Sequence, residues 1–272
     1  MTSQGNPHGS QGDDAYLFPR HPTETDRLDV QHYALREAFG GNYLAPITGP
    51  ARVLDSGSGT GQWAFDLCAE FPDAVVVGFD LEPSKPDQPA NYRFVHGNLL
   101  HGLPFATDRF DFIHQRLLVP GIPLKRWAEV VAELVRVARP GGWVELVEAD
   151  WAIESGGSAS ERLVEIAGRL GRSHGLDTTG IVFRSLGTCL ERAGLVDVKR
   201  HAVDVPLGEW AGRIGSLMAT DYRAAAMRIS AIVEAQFGIG QDAFHELIRT
   251  AWQEWDENRS KCQFAIAFGR KP

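Results

Sequence analysis

The chain alternates short apolar runs with longer amphipathic segments. Residues 52–54 end a short buried strand, and residues 74–79 form the continuous, β-branched run of a strand covered on both faces. Residues 92–96, 109–114 and 143–148 supply a third, fourth and fifth strand. A helical pattern starts at Gln62, and residues 124–138 carry Trp127, Val130, Val131, Leu134, Val135 and Ala138 on one face before Arg139, Pro140, Gly141 and Gly142 stop it. Residues 158–173, expected to begin on a serine cap, and 178–193, stopped by Gly194, read as two more amphipathic helices. Residues 195–203 alternate like a half-exposed strand, 262–268 form an apolar terminal strand, and one long helical stretch, 210–258, separates them. Strands alternating with helices predict an α/β fold with a doubly wound sheet, helices on both faces and ligands outside the strand C-termini.

The segment before the first strand has its own pattern. Residues 1–14 are rich in Gly, Ser, Gln and Asn without an apolar core, so a disordered tail is expected and not a secretion signal. An aromatic entry at Tyr16 then leads into a helix expected to run from a Thr23 cap to about Phe39.

Composition narrows the function classes. With 272 residues, 43% of them hydrophobic, the chain can bury a sizeable core, and no apolar run has the length needed to span a bilayer. A net charge of -8 without clustered Lys and Arg opposes nucleic acid or an anionic membrane as partner. Cys68, Cys189 and Cys262 are widely spaced and form neither a disulfide nor a metal pattern, and His96, His101 and His114 fall on different elements, so no metal is expected. A small-molecule partner and a cytoplasmic location are expected, and nothing opposes a homo-oligomer.

The chemistry concentrates at residues 53–61, VLDSGSGTG, between the first strand and the first helix after it. Gly57, Gly59 and Gly61 suit a strand-to-helix turn that needs positive φ and lets backbone approach a ligand at a helix N-terminus. A dinucleotide loop spaces its glycines G-x-G-x-x-G and holds a pyrophosphate. Here the spacing is G-x-G-x-G, and the carboxylate of Asp55 opposes a pyrophosphate but attracts a cation. A nicotinamide-dependent oxidoreductase is therefore disfavoured. The second strand ends at Asp80, where a carboxylate can accept from vicinal ribose hydroxyls.

DSGSGTG resembles the first motif of the class I S-adenosylmethionine-dependent methyltransferase family, and RPGGW at 139–143 is a second hallmark. Arg27, Leu28 and Gln31 ahead of the glycine loop, with FDFIHQRLL at 110–118, are similar to a bacterial subgroup acting on small molecules and to fungal methyltransferase-like regulators of secondary metabolism. The resemblance spans nearly all of residues 16–151 and implies a Rossmann-like, seven-stranded, mostly parallel sheet. It places Asp55 beside the amino acid end of the cofactor, with Gly57, Ser58, Gly59 and Gly61 beneath it. Tyr16, Gln31 and Arg116 then lie near its carboxylate, and Gly97, Asn98 and Leu99 beside the adenine with Leu81 and Leu100. The family commonly has aspartate where this chain has Asn98, whose amide oxygen can still accept the adenine amino group.

These readings divide the chain into a tail (1–14), an N-terminal helical lid (15–45) and a methyltransferase domain (46–272) with helical cap insertions at about 152–194 and 208–259. The expected chemistry is in-line displacement at the sulfonium methyl, which mainly needs donor and acceptor aligned. For a phenol or alcohol acceptor, His114 is the first candidate base, also placed beside the cofactor, and His32 the second, with Tyr16 close by. For an electron-rich carbon, Trp151, Tyr16 and Asp150 could stabilise a cation, with Glu148 sharing the role. Trp151, Asp150, Tyr222 and Met218 are the expected acceptor contacts in a pocket suited to a bulky apolar molecule. Transfer to O, N or C stays open. The alternative is a protein that binds S-adenosylmethionine but catalyses a cyclisation or acts as a regulator.

Overall fold

The computed structural model describes residues 22–272, with side chains from Asp26 onward. The tail at 1–14, the aromatic entry at Tyr16 and the side chain of Thr23 lie outside them. The described residues form seven strands, β1 (Arg52–Ser56), β2 (Val75–Asp80), β3 (Tyr92–His96), β4 (Phe110–Arg116), β5 (Ala138–Glu154), β6 (Val196–Pro206) and β7 (Lys261–Arg270). The helices are α1 (Pro22–Phe39), α2 (Gln62–Glu70), α3 (Trp127–Val137), α4 (Gly157–Ser173), α5 (Ile181–Arg192), α6 (Gly212–Arg228), α7 (Ser230–Phe237) and α8 (Gln241–Glu257).

All seven strands join one sheet in the order β3-β2-β1-β4-β5-β7-β6, parallel except for β7, which runs antiparallel to both its neighbours. The order reverses between β1 and β4, the switch point where ligands bind in such sheets. Alternate residues of the central strands feed two cores. Val53, Val76 and Phe112 pack with Trp63 and Leu67 of α2, and Leu54, Ile113 and Val144 pack with α3 and α5. A third cluster joins α1, α4, α6, α7 and α8 over the end of the sheet.

Four local readings change. Residues 124–138 are not one helix, because a 3-10 turn, Leu124–Arg126, precedes α3. β5 begins directly after α3 and extends to Glu154, with Gly141 taking a left-handed φ of 77° and Gly142 passing so close to the Phe110 and Asp111 carbonyls that a Cβ would crowd them. The stretch at 210–258 is three helices, and Gly238 ends the second in the left-handed region at φ 68°. The serine cap expected for residues 158–173 is replaced by Glu254 of α8, whose carboxylate accepts from the Ala159 amide at 2.9 Å and the Ser160 amide at 3.0 Å. A carboxylate placed at a helix N-terminus satisfies free amides and the helix dipole together, so a distant residue supersedes the local one.

Candidate active site

A cavity of about 810 Å³ opens at the C-terminal ends of the parallel strands. The glycine loop forms its floor at one end. Gly57, Gly59 and Gly61 have φ values of 74°, 53° and 83°, all left-handed, as expected for a loop whose backbone must face a ligand. Gly61 serves the turn alone: it precedes α2 and does not line the cavity. The loop is tied to the end of β2, where the Gly57 amide donates to the Phe79 carbonyl at 2.8 Å and the Gly59 amide to Asp80 Oδ2 at 2.8 Å. Asp80 Oδ1 accepts from the Glu82 amide at 3.1 Å. Burial pushes the Asp80 carboxyl above the usual carboxylate range, opposed by these amides.

Asp55, His114 and Glu145 stand at matched positions on the neighbouring strands β1, β4 and β5. Asp55 Oδ1 lies 3.3 Å from His114 Nδ1, and the imidazole is stacked on Trp63 at 3.8 Å between centroids, 6° from parallel. Burial lowers the His114 pKa, with Asp55 opposing, so the ring is neutral at pH 7. Glu145 turns away from the cavity, where its Oε2 accepts from the Leu44 and Ala45 amides at 2.8 and 2.7 Å, and burial raises its pKa to about 7.

Helix α1 packs beside the glycine loop, with Arg27, Leu28, Gln31 and His32 lining the cavity. His32 joins Asp66 of α2 at 3.0 Å through Nε2 and Arg116 of β4 at 3.2 Å through Nδ1, and burial lowers its pKa against the pull of Asp66. Gln31 Nε2 donates to Asp221 Oδ2 of α6 at 3.0 Å, and Arg27 pairs with the other oxygen at 2.5 Å, both partners nearly inaccessible. Asp29 accepts from Lys85 and, at 2.9 Å, from Thr60 Oγ1, which ties α1 to the loop after β2 and to the glycine loop.

The opposite end is apolar. Leu117, Leu118, Val119 and Ile122 from the turn after β4, Leu163 and Ala167 of α4, Tyr222 and Ala226 of α6, Phe244 and Trp255 of α8 and Trp151 enclose it. Glu148 and Asp150 add carboxyls on β5. The Glu148 carboxyl is pushed up to about 8 by burial, against the Leu118 and Val119 amides that it accepts at 2.8 and 3.3 Å. The Tyr222 phenol is buried against Cys262 and held well above its ordinary value, so it stays protonated.

Of the expected site residues, Gln31, His32, Asp55, Gly57, Ser58, Gly59, Asp80, Leu81, Gly97, Asn98, Leu99, His114, Arg116, Asp150, Trp151 and Tyr222 line this one cavity. Met218 does not: it is fully buried in the core among α1, α4 and the C-terminal helices, one turn from Tyr222. Asn98 Oδ1 is partly committed, accepting from the Leu100 amide at 2.9 Å, with one lone pair to spare. Sequence reasoning missed Asp221, Trp63 and the Asp29–Lys85 pair. Arg27 and Gln31, four apart on one helix face, could have signalled a shared acidic partner. Nothing local marks Asp221 as that partner.

The cavity fits S-adenosylmethionine. In this left-handed glycine cradle any side chain would strain the backbone, and a Cβ would press on the side chain of Leu118 at Gly57 (2.7 Å) and on that of Leu28 at Gly59 (3.3 Å). The carboxylates of Asp55 and Asp80 line the cavity beside that cradle. Among the described residues no cluster suits a metal ion, and no helix is long and apolar enough to cross a membrane.

Comparison with known proteins agrees. Residues 53–142 match a methyltransferase domain model. The chain is 34% identical over 142 residues to the N-methyltransferase verN of Clonostachys rogersoniana, covering 49% of this chain and 50% of that protein. It is 27% identical over 271 residues to the N-methyltransferase sirN of Leptosphaeria maculans, covering 94% and 95%. This chain spans between about half and three fifths of most of these curated relatives, as with the 62% of methyltransferase pytC of Aspergillus terreus. The fold matches phosphoethanolamine N-methyltransferase 2 of Haemonchus contortus, solved with phosphomonomethylethanolamine and S-adenosylhomocysteine, at a TM-score of 0.54 and 16% identity over 94% of this chain and 62% of that one. Motif, sheet order and relatives converge on the class I S-adenosylmethionine-dependent methyltransferases, to which the chain is similar in sequence and in fold.

Proposed function

We propose that the protein transfers a methyl group from S-adenosylmethionine to a small, bulky, largely apolar acceptor of specialised metabolism. The observation that carries this reading is the cavity in which a left-handed glycine loop flanked by Asp55 and Asp80 opens onto an apolar chamber. Bound S-adenosylmethionine supplies a sulfonium methyl open to in-line displacement.

The chain's own residues bind, orient and exclude water. Asp80 accepts the ribose hydroxyls with the lone pairs left by Gly59 and Glu82, and Asn98 with the Leu99 amide reads the adenine. Asp55 faces the ammonium, and Arg116 with Gln31 faces the carboxylate. Tyr16 joins them by family resemblance. Trp151, Asp150 and Tyr222 contact the acceptor, and α1 closes over the donor.

If the acceptor gives up a proton, His114 is the better base. It is neutral and has a ring nitrogen beyond the one facing Asp55, whereas both ring nitrogens of His32 are engaged. The test is calorimetry with S-adenosylmethionine, followed by methyl-labelled donor and a panel of apolar phenols, amines and prenylated acceptors, with products located by mass spectrometry. Micromolar donor binding and a labelled product are expected. Absence of donor binding by the folded protein would overturn the reading.

A further inference from the structure

The turn after β4 combines an unfavourable backbone with a buried lock. Leu117 has φ 56°, a left-handed conformation that a branched, bulky residue reaches only at a cost in backbone strain. Asp108, Ser155, Asp197 and Arg259 also have positive φ, but Leu117 is the one non-glycine residue of this kind on the cavity wall among the described residues. The left-handed residue reverses the chain and turns the next two amides toward β5, where Glu148 accepts both, Leu118 at 2.8 Å and Val119 at 3.3 Å. Glu148 as a whole is 1% exposed. The same turn sets the Leu118 side chain on Gly57, so close that a Cβ there would lie 2.7 Å from it.

We propose that Glu148 is a positioning residue of the donor site: it holds the turn at 117–119 in its strained form, which seats Leu118 on Gly57 and fixes the partition between donor and acceptor. The proposal rests on the methyltransferase reading. Glu148 acts through the turn, and its alternative as a partner for an acceptor cation would leave the backbone at Leu117 without consequence.

The test separates lock from scaffold by removing the strain. Glu148→Ala should weaken S-adenosylhomocysteine about tenfold in calorimetry, because two buried amides lose their acceptor and the turn relaxes. Leu117→Gly supplies the unstrained background for the double variant, since glycine takes this φ freely. The double variant should return to within about threefold of wild type, which a purely structural role for Glu148 would not give. Equal binding by wild type and Glu148→Ala, or a double variant as weak as Glu148→Ala, overturns the proposal. If Glu148→Ala does not fold, Glu148→Gln, which keeps one carbonyl oxygen, should show a smaller loss with the same rescue, and no rescue overturns it. Hydrogen exchange in the ligand-free protein reads the lock without any cofactor. The Leu118 and Val119 amides should be protected in wild type and exchange faster in the variant, and unprotected wild-type amides overturn the proposal even where donor binding succeeds. Wild type that fails to bind donor while keeping protected amides overturns the methyltransferase reading alone.

Discussion

Glu148→Gln should flatten the dependence of stability on pH. The carboxyl titrates near 4.5 in an unfolded chain, and burial moves it to about 8 in the fold, a shift opposed but not cancelled by its two amide donors. Between those values the folded protein holds a proton that the unfolded chain has released. This contribution to stability is therefore fully present below about pH 4.5 and is lost as the pH rises toward about 8. Integrated from about pH 5 to about pH 8.5, the linkage amounts to about 4 kcal/mol, a large part of a typical folding free energy. Glu145, raised to about 7, adds to the loss in the same direction, whereas His32 and His114, both lowered by burial, favour the fold as the pH rises through the same window. The absolute profile mixes these terms, so the difference between variant and wild type is the informative quantity. Glutamine has nearly the volume of glutamic acid and keeps one carbonyl oxygen, and whatever it loses at the second amide is constant with pH. Urea unfolding followed by tryptophan fluorescence at a series of pH values should show the variant gaining about 4 kcal/mol on wild type across the range. Parallel curves would mean that Glu148 is already ionised in the fold, and the burial argument would fail.

Three other outcomes are expected. Asp80→Ala should cost about 2 to 3 kcal/mol of S-adenosylmethionine affinity with the fold retained, and unchanged affinity in calorimetry removes the ribose assignment. Gly59→Val should abolish donor binding, because φ is 53° and a Cβ would press on Leu28; circular dichroism should still report a folded sheet, and retained binding would contradict the cradle. Asp221→Ala should destabilise the protein by about 3 kcal/mol and loosen α1, since Arg27 is left buried beside no carboxylate at that position and Gln31 loses its acceptor; unaltered melting and unaltered proteolysis of the lid would show the pair to be dispensable.

Much of this protein was decided locally. The apolar runs at 74–79 and 92–96 became strands within a residue of their expected bounds because β-branched runs flanked by turns have few other uses. The spacing of Gly57, Gly59 and Gly61 after Asp55 required left-handed backbone, and the loop has it, because conformational demand at a turn is a property of the residue itself. Other features depended on residues far apart in the chain. No local rule brings Glu254 to the start of α4, about 95 positions away, and that carboxylate displaced the expected serine cap because it satisfies more amides at once. Met218 and Tyr222 lie four apart on one helix face, yet Tyr222 reaches the cavity and Met218, one turn earlier, stays in the core, a position along the helix axis that apolar spacing alone leaves undetermined. Asp221 under the lid and Glu148 beneath Leu117 are likewise products of assembly. Local patterns specify what each segment prefers by itself, whereas a buried charge is tolerated only where the completed fold supplies its partners, so those positions could be decided only by the tertiary structure.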